Sequence, residues 1–120
     1  MPMTIAITIP AIPIPKGRPR LGRNGAHNPE STVDYENLVR WTAKASRNEI
    51  GWKKLAGDIK CRVEFYGPRK GDIDNLLKSL FDGLNGIAFD DDKQIRELHA
   101  ICIDADFGET IVRIEPCHVM

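Results

Sequence analysis

Between Ile59 and Gly86 the hydrophobic period changes from that of a strand to that of a helix, and nothing else in the sequence restricts the fold so tightly. Ile59, Cys61, Val63 and Phe65 alternate with Lys60, Arg62 and Glu64, the pattern of a strand with one wet face. Gly67-Pro68 ends that run. Ile73, Leu76, Leu77, Leu80, Phe81 and Leu84 then recur at the steps that place apolar side chains on one face of a helix. Asp72 stands at the N-cap position, able to accept a bond from the amide of Asp74 or Asn75, and Gly86 stands at C′. At about 100° per residue, Asp74, Lys78 and Asp82 form a stripe along the edge of the apolar face.

The flanking segments complete an α+β pattern. Met3, Ile5, Ile7 and Ile9 alternate with Thr4, Ala6 and Thr8, which predicts a half-buried strand ended by Pro10. Residues 16–29, rich in Gly, Pro, Asn and Arg, read as a long loop, and loops of that length are mostly functional or disordered. A first helix is expected from Ser31 or Thr32 to about Ile50, opened by a variant capping box of Ser31 with Asp34. It should bury Tyr35, Leu38, Val39, Trp41 and Ala45. Trp41 and Trp52 are able to stack on bases, but packing in a core or interface is the stronger reading. A third strand, roughly Gln94 to Ala105, is apolar on both faces at Leu98, Ala100, Ile101, Cys102 and Ile103 and should be central in its sheet. Asp106-Phe107-Gly108 reads as a hairpin turn leading to a last strand from about Glu109 to Glu115. The order β-α-β-α-β-β predicts one domain over residues 1–120, a four-stranded sheet with two helices on one face.

Composition excludes several classes. No apolar window of about 18 residues is present to span a membrane, and the N-terminus lacks the pattern of a signal peptide. The odd number of cysteines (Cys61, Cys102 and Cys117) fits a reducing, cytoplasmic setting better than a disulfide framework. Net charge is zero, which argues against coating nucleic acid by bulk charge. The distribution is uneven, however. Lys16, Arg18, Arg20 and Arg23 carry four positive charges with no acid between them, suited to phosphate contacts, although a solvated basic loop explains charge alone equally well.

The acids ask for a specific chemistry. One Asp at a helix start is more often a cap than a catalyst. Asp72 and Asp74 with Lys78, followed by Asp90-Asp91-Asp92, are harder to explain that way. Carboxylates gathered in one place repel, and a hard divalent cation such as Mg²⁺ with oxygen ligands removes the conflict. Spacing alone does not place the triple Asp beside Asp72. An EF-hand is excluded because neither acidic stretch has Gly at the sixth loop position. The scattered His27, His99 and His118 offer no zinc spacing, Cys117 only abuts His118 without a paired partner at ligand spacing, and the sequence gives no evidence of a base held near a nucleophilic Cys.

Taken together, Pro15-Lys16-Gly17-Arg18-Pro19-Arg20, Asp72-x-Asp74-Asn75-x-x-Lys78 and Asp91-Asp92-x-Gln94-Ile95 resemble the RusA family of Holliday junction resolvases. The resemblance runs from the first strand to the last. It implies a small, homodimeric, Mg²⁺-dependent endodeoxyribonuclease of DNA recombination and repair, of a kind often carried by bacteriophages and prophages. Such an enzyme resolves four-way junctions by paired nicks. By residue, it implies metal ligation by Asp72, Asp74 and Asp92 and places the site lysine at Lys78. Lys78 would stabilise the charged phosphate, take part in proton transfer, or balance the acids. Asp91 matches a neighbouring acid of lesser role. The best-known member carries a run of arginines before its first site aspartate, where this chain has Arg69-Lys70-Gly71. Arg69 and Lys70 therefore join Lys16, Arg18, Arg20 and Arg23 as the expected DNA-binding set. Two other readings stand beside this one: a metal-dependent nuclease acting on flap, branched or simple duplex DNA, and a non-catalytic DNA-binding relative.

Overall fold

A computed structural model describes residues 3–17, 20–22, 25–27, 30–68 and 71–117, without the side chains of 20–22, 25–27 and 30. In chain order the elements are β1 (Ile5–Ile9), β2 (Arg20–Gly22), β3 (Gly25–His27), α1 (Glu30–Ile50), β4 (Ile59–Gly67), α2 (Ile73–Leu84), β5 (Ile95–Asp104) and β6 (Glu109–Pro116). A single 3₁₀ turn, Asp92–Gln94, leads into β5. The main sheet is four-stranded, ordered β1-β6-β4-β5, and the fold is α+β. β6 is antiparallel to both β1 and β4, whereas β5 is parallel to β4 through the α2 crossover. Within the segment expected as a loop, β2 and β3 pair antiparallel as a short ribbon, Arg20 opposite His27.

Alternation decides the core. Ile5, Ile7 and Ile9 of β1, Ile59, Cys61, Val63 and Phe65 of β4, and Val112 and Ile114 of β6 are buried on one side of the sheet. Leu76, Leu80, Phe81 and Leu84 of α2 and Tyr35, Val39 and Ala43 of α1 belong to the same buried cluster. The Tyr35 hydroxyl meets Thr110 Oγ1 at 3.0 Å inside the core. Burial pushes that phenol up to about 12 and the Cys61 thiol likewise up to about 12.

Several expectations need correction. β5 is an edge strand, not a central one, and most of its side chains remain accessible. Asp106-Phe107-Gly108 closes no hairpin, because β6 lies on the far side of β4 from β5. The connection instead crosses the end of β4, where the Ala105 amide donates to the Gly67 carbonyl at 3.1 Å. Gly108 is needed there for closeness rather than for a turn angle, since a Cβ would lie 2.4 Å from the Ile12 nitrogen. α1 begins at Glu30. Its inner face is phased on Thr32, Tyr35, Val39 and Ala43, which turns Ala45 outward and leaves Trp41 69% exposed under Lys44. Trp52 is buried as expected, its indole N–H donating to the Ala88 carbonyl at 2.9 Å.

The two helices touch where α2 has no side chain. A Cβ on Gly83 would sit 2.7 Å from Val39 Cγ1 and 3.0 Å from the Glu36 carbonyl oxygen. Overpacking of this kind typically costs about 1–3 kcal/mol. Gly83→Ala should therefore lower unfolding free energy by roughly that amount, read as a reduced urea midpoint at unchanged slope.

Candidate active site

The N-terminal end of α2 is set by backbone contacts. The Asp72 carbonyl accepts from the amides of Asn75 at 3.1 Å and Leu76 at 3.0 Å. Its carboxylate, expected to cap the helix, makes no side-chain cap bond. Asp74 instead accepts from the Asn75 amide at 3.0 Å through Oδ1. Both carboxylates are exposed. Gly71, at φ +75°, turns the chain into the helix, and a Cβ there would meet the Pro15 ring at 2.8 Å. Asp72 lines a cavity of about 390 Å³ at the carboxyl ends of the parallel pair β4 and β5, together with Phe65, Ile73, Cys102 and Asp104. Open α/β sheets favour ligands at that end of parallel strands. Sequence reasoning missed Asp104. The signal was its place two residues after Cys102, on the same face of β5.

The segment before the basic loop is strapped onto both helices. The Ser79 hydroxyl donates to the Ile14 carbonyl at 2.5 Å and the Lys16 amide to the Asn75 carbonyl at 2.9 Å. The Gly17 amide donates to Thr32 Oγ1 at 3.1 Å. These bonds hold residues 14–17 against α1 and α2. The Lys16 ammonium, expected as a phosphate contact, is already held by Glu36 Oε1 at 2.6 Å and Asp82 Oδ2 at 3.0 Å. Partial burial pulls its pKa down, but the two carboxylates outweigh that and raise it above the ordinary lysine value. Lys78 reaches the other Asp82 oxygen at 3.4 Å, so Asp82 links the two lysines. Arg18, Arg23, Arg69 and Lys70 lie outside the described residues, as does the side chain of Arg20.

The triple Asp divides its work. Asp90 pairs with Lys54 at 2.9 Å. Asp91 opens the 3₁₀ turn with a full capping box: its side chain accepts from the Lys93 amide at 2.9 Å, and Gln94 Oε1 accepts from the Asp91 amide at 3.2 Å. Gln94 also donates to the carbonyls of Leu55 and Gly57, each at 2.8 Å, which anchors the acidic loop to the segment before β4. The Asp92 amide donates to Asn85 Oδ1 at 3.0 Å, at the C-cap of α2. Bonding from the Lys93 amide and from Asp92 lowers the Asp91 pKa, while partial burial and the adjacent Asp91 raise that of Asp92. Lys78 lowers and Asp82 raises the Asp92 value, so the α2 stripe acts on this acid too.

Asp72 caps one end of α2 and Asp92 is bonded to the other, and a helix of 12 residues rises about 18 Å. Among the described residues no three acidic, His or Cys side chains are grouped so as to hold a metal ion. Lys78 lies between the two ends, one turn from Asp74 and one from Asp82.

A family model describing endodeoxyribonuclease RusA matches residues 10–115, and the chain belongs to that family. It is accordingly an endodeoxyribonuclease-family protein with DNA as its substrate. No curated protein matches the sequence. No helix among the described residues is long and apolar enough to cross a membrane.

The Asp92 shift has a testable sign. A carboxyl whose folded pKa lies above its unfolded value contributes stability at low pH that is lost as pH rises through the folded pKa. Asp92→Asn should therefore raise Tm at pH 7 in metal-free buffer, with the gain shrinking toward zero below about pH 3.9, the unfolded Asp value. Thermal melts across that range check it.

Proposed function

We propose that the protein is a Mg²⁺-dependent endonuclease that resolves four-way DNA junctions by paired nicks, with Asp72, Asp74, Asp92 and Lys78 as its working residues. The observation that carries this reading is the family match together with the retention of all four side chains in the matched span. A purely DNA-binding relative gains nothing from exposed carboxylates near phosphate, where they repel. The same argument favours cleavage over simple binding for any DNA substrate. Junction selectivity over flaps or linear duplex comes from the family resemblance.

Asp72 stands at the N-cap of α2 and the Asp92 amide is bonded to Asn85 at its C-cap, which favours a three-carboxylate site built from two chains. We infer that the protein acts as a C2 dimer in which Asp72 and Asp74 of one copy face Asp92 of the other. A two-fold axis then produces two equivalent sites, matching the two-fold symmetry of a junction and the need for two nicks. A divalent cation bound by such carboxylates supplies an activated water and relief of negative charge on the phosphoryl group.

The chain's own residues do the rest. Lys78, held by Asp82 on the α2 flank, offers a positive charge to the scissile phosphate between the two groups of acids. Lys16 bridges Glu36 and Asp82 and so offsets the negative charge beside Lys78. The capping box at Asp91 and the Gln94 clamp fix the loop that presents Asp92. Recognition of a branched molecule would rest on phosphate positions and deformability rather than base edges. The basic set Arg18, Arg20, Arg23, Arg69 and Lys70 would supply those phosphate contacts.

The test compares a four-way junction with linear duplex, in Mg²⁺ and in chelator, using wild type and Asp74→Asn. Wild type should nick the junction only with Mg²⁺ and leave the duplex intact. Asp74→Asn should lose cleavage while binding the junction as tightly or more tightly, because a repulsive charge is gone. Full cleavage by Asp74→Asn would overturn the assignment. Equal cutting of flap or duplex would replace junction resolution with the broader nuclease reading.

A further inference from the structure

Trp41 is the most exposed large apolar side chain among the described residues, and nothing in the nuclease chemistry uses it. An indole in solvent forgoes one of the largest burials of apolar area open to any side chain. At about 100° per residue, Asn37, Trp41, Lys44 and Asn48 share a sector of α1 roughly 60° wide, on the side away from Val39 and Ala43. Arg40 and Arg47 lie along the flank of that sector turned toward α2. Arg40 is fixed there, donating to the Asp82 carbonyl at 3.3 Å and to Asn37 Oδ1 at 3.4 Å. The Lys44 ammonium stands 5.1 Å from the centroid of the Trp41 ring.

Charge on this face is one-sided. From Asn37 to Asn48 the helix carries Arg40, Lys44 and Arg47 and no acid. Of the acids that flank the run, Glu36 is paired with Lys16, and Glu49 falls about 180° round the helix from Arg40. Among the described residues none of the three cations is in an ion pair. They rise about 10 Å along the axis, a length over which one stacked DNA strand carries about three phosphates. The track also meets the site: Asp82, whose carbonyl holds Arg40, holds Lys78 through its carboxylate at 3.4 Å. A duplex arm hides the faces of its bases, whereas an unpaired nucleotide offers one to an aromatic ring while neighbouring cations take its phosphates. A second copy of the chain is the poorer occupant, because two such faces across a two-fold axis set like charges against each other.

We propose that the outer face of α1 binds single-stranded DNA, with Trp41 stacked on an unpaired base and Arg40, Lys44 and Arg47 on the backbone phosphates. This rests on DNA being the substrate and deepens the reading above, but it uses none of the metal chemistry. A strand whose phosphate meets Lys78 has Arg40 next to it, across Asp82, and then Lys44 and Arg47 along α1. In a branched molecule the base that reaches Trp41 is one left unpaired at the branch point.

The test is a titration of the full chain, in chelator, with oligothymidylate and with a mixed-sequence duplex of equal length. Binding is followed by tryptophan emission and by the anisotropy of labelled DNA. Oligothymidylate should quench the wild-type emission. Trp41→Phe should bind within about twofold of wild type with that quench lost, since the buried Trp52 is the indole that remains. Trp41→Ala should bind oligothymidylate about tenfold more weakly, the loss of one stacked base, and duplex within about twofold of wild type. Lys44→Gln and Arg47→Gln should each reduce the slope of log affinity against log salt by about 0.7, the share of one phosphate on a single strand. A merely structural role would not move that slope, and unchanged urea midpoints show that the fold is kept. An unquenched wild type, or a Trp41→Ala chain that binds oligothymidylate as wild type does, overturns the proposal. A change of oligomeric mass in Trp41→Ala, read by light scattering, also overturns it by assigning the face to a second copy. Because cleavage is never read, a chain that passes but does not nick DNA sinks only the nuclease reading, and one that nicks junctions but fails here sinks only this proposal.

Discussion

A helix is a rigid spacer, and α2 sets the distances that matter here. Its 12 residues rise about 18 Å between Asp72 at the N-cap and Asn85 at the C-cap, which bonds the loop that carries Asp92. The contacts that seat it leave little freedom. Gly83 admits the backbone of α1, Leu80 and Leu84 are fully buried against the sheet, and Ser79 and Asn75 bond the strap of residues 14–16. Moving either acidic group toward the other within one chain would mean unpacking that core.

From that constraint the rest of the site becomes intelligible. The strap holds residues 14–17 on the two helices, and Lys16 is paired with Glu36 and Asp82. Lys78 remains exposed on the same flank. At the acidic loop the same division holds: Asp90 is paired with Lys54 and Asp91 caps the turn, while Asp92 feels both Lys78 and Asp82 of the α2 stripe. Three adjacent aspartates thus have three different roles, which their adjacency conceals.

What could be read in the sequence was whatever repeats with a period. The burial of Ile59, Cys61, Val63 and Phe65, the face of α2 and the Gly86 terminus follow from alternation, helical spacing and one positive φ of 82°. Apolar composition without neighbours was misleading. β5 looks central because Leu98, Ile101 and Ile103 are hydrophobic, yet strand order is set by the α2 crossover and by β6 inserting between β1 and β4. Trp41 was misplaced by one step of helical phase. The Lys16–Asp82 link joins residues 66 positions apart and has no local signature. The family resemblance supplied the identity of the site residues. It could not say that Asp72 and Asp92 lie at opposite ends of one helix, since a motif records order and not distance.

The two acidic groups are proposed to work together only between chains. Asp74→Asn and Asp92→Asn chains, each inactive alone, should be co-expressed with different tags and assayed on a four-way junction. In a mixed dimer one site carries both substitutions and the other carries none, so random pairing leaves about a quarter of all sites intact. The account predicts that nicking returns to about that level while each variant alone stays silent. A mixture as inactive as its parts, under conditions where mixed dimers are isolated by their two tags, would contradict it.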